Sequence, residues 1–571
     1  MQNSFVRLLV LTVAAALAVA TAPIARAQGV VSSGITGTLA DDAGKPVAGA
    51  TVTALHVPTN TSYSAVSNAA GRFSFRGLRV GGPYTISAQA QGYEVRSLSN
   101  VDTILGEDTD VSLIAQKEVL ELEKFVAVGS RTTLDANATG AGSVLSSRRI
   151  ATQPTASRSF ADMMKTNPFV AIRAFPQVTA LGMNNRYNSI TLDGARINDQ
   201  FGLASAGLLS LKNPFSLDAV EQFSISLTPY DVTQSGFAGA SVNVVSKSGT
   251  NVFHGSAYYI YTSDQWQGKD VSGTTAGTRA TKFYDRTWGA TLGGPIIKDK
   301  LFFFLNYEKV NNPSGAPSNP GFNPDPAFLT FIQAQIAALP GKPDLGTYGG
   351  AGANLETDTK RLAKLDWQIT NDHRLTVRYS DTEGSRPNFG SFNPGTGFSN
   401  NISMPGVSNT GYNNGITSLS SSYYSLAILE EVWAAQLFSS WSPDFKTQFN
   451  FSKNDSSSLR TTPAIFPEIR ILNVPGTSVT TGAPVSTSNA FSFGTEVSSM
   501  GNGGIFNTIS YGGIADYTWR NIDFKAGFDH EETDFENLFR AGSYGVFAYN
   551  YSPTLNLATD APLSFARSVA Q

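Results

Sequence analysis

The chain of 571 residues contains no cysteine and only four histidines. The absence of cysteine excludes disulfide bonds, thiolate zinc sites, cysteine nucleophiles and cysteine-ligated iron–sulfur clusters. His56, His254, His373 and His530 are so far apart in the chain that metal-ligand spacings such as H-x-x-x-H are excluded as well. Neither a nucleophile elbow nor an H-E-x-x-H motif occurs. The sequence therefore predicts no cofactor, no metal centre and no enzymatic activity.

Charge is also scarce and nearly balanced. Lys and Arg number 41 and Asp and Glu number 44, which gives a formal net charge of -3. Charged residues make up 15% of the chain, whereas soluble domains average about 25%. A chain without a basic excess is not expected to bind nucleic acid.

Long apolar runs are missing except at the N-terminus, where the pattern predicts a signal peptide over residues 1–27. Arg7 supplies the positive charge, residues 8–20 form the apolar run, and Ala25 and Ala27 flank Arg26 as a small-x-small cleavage site. A retained membrane helix is the alternative, but the run is shorter than the roughly 20 residues that a span requires. An exported protein with this sequence can therefore span a membrane only as a closed β-barrel.

Short alternating segments separated by turn residues occupy residues 34–115 and predict a small β-sandwich. The order of its motifs resembles the carboxypeptidase regulatory-like domain, a non-catalytic immunoglobulin-like module. The segments that carry this resemblance are GITGTL (34–39), DDAGKP (41–46), ATVTAL (50–55), GRFSF (71–75) and YTISA (84–88).

A linker follows over residues 118–139, where acidic residues run into a short apolar stretch before Gly129. This stretch is predicted to be a β-former, and an ordinary interdomain strand is one interpretation of it. Residues 140–248 then predict a mixed α+β domain. A short helix starts near Ser159, and Asp193-Gly194 forms the two-residue turn of a hairpin.

From residue 252 to residue 571 the chain predicts long hairpins with one apolar face. In one of them Leu365 and Trp367 alternate with Lys364 and Asp366. Short turns near residues 297, 371, 443 and 520 recur about every 75 residues with long Gly/Asn/Ser-rich loops between them, as in outer-membrane barrels. The loop that contains Asp325-Pro326 is expected to include a short helix. A soluble antiparallel sheet is the alternative.

The hairpins amount to about nine strands, an odd number, whereas bacterial single-chain barrels close with an even number. We therefore expect that the sequence is truncated at its C-terminal side and lacks the rest of its barrel. The predicted fold class is mainly β: an immunoglobulin-like sandwich, an α+β plug domain and the N-terminal part of a transmembrane antiparallel β-barrel.

The order of these parts resembles the TonB-dependent outer-membrane receptors and transporters, specifically the Oar-like group. The resemblance rests on the segments ITLDGARIN (190–198), VNVVSKSGTNVFHGS (242–256) and LGGPIIKDKLFFF (292–304). It implies an outer-membrane protein, in contact with lipid, whose N-terminal domain is periplasmic and whose residues 140–248 plug the barrel. It also implies a partner, TonB with its inner-membrane energising complex, which would bind a TonB box in the linker. The candidate box consists of Lys124, Phe125, Val126, Ala127, Val128, Gly129 and Ser130.

The ligand cannot be read from the sequence, and a peptide, a glycan and a metal chelate all stay open. Five basic side chains are predicted to face the barrel lumen and are candidates for contact with an anionic ligand: Lys364, Arg374, Arg378, Lys446 and Lys525. The function that the resemblance implies is energised import through a plugged barrel. An outer-membrane adhesin or structural surface protein without active transport is the alternative.

Overall fold

The computed structural model describes residues 29–95, 97–117, 142–153, 155, 158–174, 177–199, 207–228, 231–234, 236–266, 284–313, 322–348, 355–389, 392–393, 397–398, 402–462, 464–479, 481–497, 501–520 and 522–567. The predicted signal peptide and the candidate TonB box both lie outside these residues.

The first unit, here called the sandwich domain, consists of residues 29–117. Its strands are β1 (Ser33–Asp41), β2 (Thr51–His56), β3 (Thr61–Val66), β4 (Arg72–Leu78), β5 (Gly81–Gln89), β6 (Tyr93–Val95), β7 (Leu98–Thr103) and β8 (Asp108–Lys117). Two four-stranded sheets, in the orders β4-β1-β8-β6 and β3-β2-β5-β7, face each other. Alternate side chains such as Ile35, Val52, Phe75 and Ile86 point inward and form one apolar core, as the sequence pattern predicts.

The plug domain, residues 142–248, has a five-stranded mixed sheet and a separate two-stranded hairpin. The seven strands of the domain are β9 (Gly142–Ser146), β10 (Val170–Ala174), β11 (Gln177–Ala180), β12 (Ser189–Leu192), β13 (Ala195–Arg196), β14 (Val220–Ser226) and β15 (Ser241–Ser246). Its helices are α1 (Ser147–Thr152) and α2 (Phe160–Met164), with 3-10 turns at Asn185–Tyr187 and Leu217–Ala219. The sheet order is β13-β12-β15-β14-β9, and β10 pairs with β11. Ser159 caps α2 by accepting a hydrogen bond from the Ala161 amide, which confirms the predicted helix start.

Nine long antiparallel strands form the third unit, here called the barrel sheet. They are β16 (His254–Ser263), β17 (Tyr284–Ile297), β18 (Leu301–Pro313), β20 (Leu355–Gln368), β21 (His373–Phe389), β25 (Tyr423–Ser440), β26 (Phe445–Thr461), β31 (Asn502–Trp519) and β32 (Ile522–Phe539), with a 3-10 turn at Asp264–Trp266 after β16. Each strand pairs with the next one in this order. The four predicted short turns all lie at one end of the sheet, and in the described residues β16 and β32 each pair with one neighbour, so the sheet is open.

The two faces of the barrel sheet differ sharply in chemistry. On β20 the apolar Leu365 and Trp367 are 46% and 45% exposed, whereas the charged Lys364 and Asp366 between them are 6% and 2% exposed. Water would not stabilise this inverted arrangement, in which apolar side chains face outward and charges are covered. It is the arrangement of a sheet whose outer face contacts lipid.

The long segments at the other end of the barrel sheet fold together into a unit here called the cap. Its strands are β19 (Phe322–Pro324), β22 (Phe392–Asn393), β23 (Gly397–Phe398), β24 (Gly415–Ser418), β27 (Glu468–Leu472), β28 (Gly476–Ser478), β29 (Pro484–Val485), β30 (Asn489–Phe493), β33 (Val546–Asn550) and β34 (Ser564–Ala566). The helix α3 (Pro326–Ala338) and a 3-10 turn at Ser420–Ser422 complete it.

The cap differs from the sequence interpretation, which described these segments as long Gly/Asn/Ser-rich loops. The short helix expected after Asp325-Pro326 is confirmed as α3. Segments from three separate parts of the chain form a five-stranded sheet in the order β24-β30-β27-β33-β34. Phe328, Ile471 and Phe491 pack into one of its two cores. This core forms from residues that are distant in the chain, so it depends on the tertiary arrangement of the segments.

Among the described residues, no helix combines the length and the apolar character that crossing a membrane requires.

The sandwich domain contains a buried histidine that makes its stability depend on pH. The Nδ1 atom of His56 lies 2.6 Å from the Thr59 hydroxyl, and burial, assisted by the charge of Arg79, lowers the pKa of His56 to about 3. The unfolded chain therefore takes up a proton between about pH 6.5 and pH 3 that the folded domain rejects. This contribution to stability is complete above pH 6.5 and is lost as the pH falls toward 3.

We expect His56→Gln to remove this pH dependence. Hydrogen exchange of residues 50–66 in increasing urea would report the unfolding midpoint of the domain at pH 7 and pH 4. The midpoint of the unsubstituted protein should fall further between these two pH values than that of the variant, because the protonation of carboxylates is common to both. Equal falls in the two proteins would contradict the assignment.

Candidate functional site

The inner face of the barrel sheet holds the chemistry of the molecule, and its central contact is the tip of the β12–β13 hairpin. Asp193 and Gly194 both have positive φ, 45° and 78°, as expected for a two-residue turn with an Asp-Gly sequence. This turn presents the Asp193 side chain to the barrel sheet. Arg378 Nε lies 3.2 Å from one carboxylate oxygen, and Lys364 Nζ lies 3.4 Å from the other.

The Asp193 carboxylate is held from its own domain as well. The Ser246 hydroxyl donates to it at 2.6 Å and the Ser246 amide at 3.0 Å. Burial by itself raises the pKa of Asp193, but the charges of Lys364 and Arg378 outweigh it and hold the pKa of this carboxyl below its usual range. The group is therefore a fixed anion between two cations of the barrel sheet.

A second cluster ties the 3-10 turn at Leu217–Ala219 to the barrel sheet. Glu308 on β18 accepts hydrogen bonds from Ser216 at 3.0 Å, from Tyr258 at 2.6 Å and from Lys360 at 3.0 Å. Lys360 Nζ also lies 3.2 Å from a carboxylate oxygen of Asp358. Glu308, Lys360 and Asp358 are all buried, so the plug covers these charges completely.

The third cluster involves the sandwich domain. Arg79, in the turn between β4 and β5, places Nη1 2.5 Å from a carboxylate oxygen of Asp366, and both side chains are buried. Arg374 donates to the Gly77 carbonyl at 3.1 Å and lies 3.9 Å from the same Asp366 oxygen. The sandwich domain is therefore docked on the inner face of the barrel sheet through a buried ion pair.

The five predicted basic residues all lie on the inner face, but each contacts another part of the chain. Lys364 and Arg378 meet at Asp193, and Arg374 joins the Arg79–Asp366 pair. Lys446 donates to the Ser74 carbonyl at 2.9 Å, and Lys525 lies 3.1 Å from Asp231 of the plug. Their contact with a ligand stays a prediction.

A cavity of about 1060 Å³ lies where the sandwich domain, the plug domain and the barrel sheet meet. Three of the five basic residues line it, namely Arg374, Lys446 and Lys525, together with Asp231 and Asp516. Its wall carries both signs of charge and does not select one class of ligand.

Sequence reasoning missed the partners of these cations. The sequence pattern at Asp193 indicates only a turn residue. Arg79 lies in the sandwich domain, 287 positions away from its partner Asp366 in the barrel sheet. No local spacing relates such residues. The one available signal was that charges on the inner face of a barrel need partners when they are covered. Within the described residues no group of three or more His, Asp or Glu side chains is arranged to hold a metal ion.

Comparisons with known proteins agree with this architecture. Residues 34–116 match the carboxypeptidase regulatory-like domain, and residues 245–330 match an outer membrane beta barrel domain. The chain is 26% identical over 399 residues to the TonB-dependent transporter Oar of Myxococcus xanthus, which covers 66% of this chain and 35% of the relative. The chain thus spans about a third of the length of the curated relative that it matches.

Two solved structures are similar to part of this chain. The outer membrane transporter YddB from Escherichia coli is 11% identical, with a TM-score of 0.48 over 72% of this chain and 50% of that chain. The siderophore receptor PirA from Acinetobacter baumannii is 17% identical, with a TM-score of 0.41 over 69% of this chain and 48% of that chain.

The chain therefore carries an outer membrane beta barrel domain and an N-terminal carboxypeptidase regulatory-like domain, and the predicted mainly β fold class and outer-membrane location are confirmed. More particularly, the chain is similar to the TonB-dependent transporter Oar of Myxococcus xanthus. That relative is a transporter rather than an enzyme, in agreement with the prediction of a non-enzymatic protein.

Asp193 offers a direct test of how the plug is held. Asp193→Asn leaves the buried Lys364 and Arg378 without their counter-charge, and removal of one partner of a buried pair costs about 3–5 kcal/mol. Protease cleavage of the plug in increasing urea should therefore begin at a markedly lower urea concentration. The matched control is Asp231→Asn, because its pair with Lys525 is more exposed and such pairs contribute about 0–1 kcal/mol. Equal effects of the two substitutions would refute the central role of Asp193.

Proposed function

We propose that this protein is a receptor and transporter that imports a ligand through its plugged barrel in a cycle energised by TonB. The observation that carries the proposal is the seating of the plug domain. Its Asp193 carboxylate lies between Lys364 and Arg378 of the barrel sheet. The tip of one hairpin therefore concentrates charge contacts that seat the plug, beside the apolar core that the plug and the sheet share. These ion pairs help to keep the plug seated at rest, and displacement of this hairpin breaks them.

The energy for that displacement has to come from elsewhere. The outer membrane sustains no large potential, whereas each charge that crosses the inner membrane releases about 2.3 kcal/mol per 100 mV. A mechanical link can carry this energy across the periplasm. An extended Phe125–Val128 segment would add as a strand to the edge of the TonB sheet, where several main-chain hydrogen bonds resist traction together.

The position of the candidate box suits this role. It lies in the segment between β8, which ends at Lys117, and β9, which begins at Gly142. β9 is an edge strand of the plug sheet and pairs only with β14 among the described strands. Traction on the linker would thus act first on an edge strand of the plug domain, which has a partner on one side.

The predicted ligand contacts fit the same cycle. Lys364 and Arg378 are neutralised by Asp193 while the plug is seated. Displacement of the hairpin would leave both cations facing the lumen, where they can attract an anionic ligand. The proposed ligand class stays open among peptides, glycans and metal chelates.

A second candidate function is favoured by the cap. Its segments form sheets with two apolar cores, and Arg470 is wholly buried there, 2.8 Å from Glu468. A folded surface unit of this kind suits an adhesin that holds a partner without importing it. Growth or uptake that is insensitive to the loss of TonB would favour this alternative.

Capture by TonB can be tested within the candidate box. Val126→Pro removes a backbone N–H donor and fixes φ, so we expect site-specific crosslinking to TonB to be abolished. Val126→Ala keeps the donor and should retain crosslinking. If the Pro variant crosslinks to TonB as efficiently as the Ala variant, strand addition at this segment is wrong.

A further inference from the structure

Three neighbouring strands of the barrel sheet contact the plug at one height and the sandwich domain nearer the short turns. On β20, Lys364 contacts the plug. Asp366, two residues closer to the short turn, pairs with Arg79 of the sandwich domain and also accepts a hydrogen bond from Ser248, the last residue of the plug, at 3.3 Å. On β21, Arg378 contacts the plug and Arg374 the sandwich domain. The sandwich domain therefore covers the inner face below the plug, toward the short-turn end.

β25 repeats this order. Ala434 belongs to the apolar core shared with the plug, whereas a Cβ atom at Gly77 of the sandwich domain would lie 3.3 Å from the ring of Phe438. Between these two residues, Gln436 donates to the Asp193 carbonyl. The boundary between the two covering domains thus crosses the sheet in a nearly straight line.

Further contacts hold the sandwich domain at the short-turn end. Asn68 donates to the carbonyl of Arg520, a turn residue, at 3.1 Å, and Asn251 donates its amide to the Pro58 carbonyl at 2.9 Å. Towards the plug, Gln222 bridges the two domains, since it donates to the Thr103 carbonyl at 2.8 Å and accepts from the Leu105 amide at 3.0 Å.

We propose that the sandwich domain is a second gate in series with the plug, closed by the Arg79–Asp366 latch. The inference rests on the proposed function, because a gate matters only where a solute passes. A solute that moves past a displaced plug along this wall next meets the sandwich domain. The cavity of about 1060 Å³ bounded by the two domains and the wall is the compartment between the gates. Import then requires two separate releases.

The geometry predicts that the two gates open independently, each when its own carboxylate is neutralised. The chain has no cysteine, so single introduced cysteines report on each gate. Phe438→Cys reports on the contact of the sandwich domain with the barrel sheet, and Ala434→Cys reports on the contact of the plug with the barrel sheet. The two sites are comparable because both are buried on the same face of the same strand. The readout is the rate of modification of the detergent-solubilised protein by N-ethylmaleimide.

Asp366→Asn should speed labelling at position 438 about tenfold and leave position 434 within about twofold. Asp193→Asn should speed labelling at position 434 about tenfold and leave labelling at position 438 within about twofold. Phe438→Cys removes a ring that packs under Arg374. A second reporter of the sandwich-domain contact is therefore needed, and Gln368→Cys serves, since Gln368 is buried beside Arg79. Leu113→Cys, in the sandwich core, should stay protected throughout, which shows that the domain moves as a folded body.

Joint release of both reporters by either substitution would show that plug and sandwich form one gate and would overturn the proposal. No change at positions 438 and 368 with Asp366→Asn would overturn the latch. In cells, faster labelling at 434 and 438 that depends on TonB is the expected result. A TonB effect at 434 alone would refute the second gate, whereas no effect at either site would refute the proposed function and leave the detergent result standing.

Discussion

The structure depends on the burial of charge along the inner face of the barrel sheet. In a sheet whose outer surface faces lipid, every second side chain of a strand contacts lipid and the side chains between them point inward. Inward charges that are covered without partners are costly. Asp193 of the plug and Arg79 of the sandwich domain supply those partners, and through them two domains are anchored to one wall.

This constraint concentrates part of the hold on each domain in single buried ion pairs. Apolar packing spreads its contribution over many residues, whereas the contact of the plug with Lys364 and Arg378 is concentrated on one carboxylate. A contact of this kind is strong while it is intact and is lost over a short displacement, because the attraction between charges in a covered site falls quickly once water enters. The Arg79–Asp366 pair has the same character at the short-turn end.

Much of the fold could be predicted from sequence because it follows from local pattern. The alternation of Leu365 and Trp367 with Lys364 and Asp366 defined a strand and its two faces, and Asp193-Gly194 defined a turn. The cap could not be predicted in this way. Its core joins Phe328, Ile471 and Phe491 from three distant segments, and no local pattern relates residues so far apart in the chain.

The sequence by itself determined the order of the domains, the strands of the barrel sheet and the inward direction of the five cations, because side-chain alternation is a property of each strand. Only the tertiary structure decided what those cations face. Ion pairs such as Arg79–Asp366 join residues from different domains, and electrostatic attraction depends on distance in space rather than on separation along the chain. The arrangement of two covering domains on one wall is therefore a property of the folded molecule.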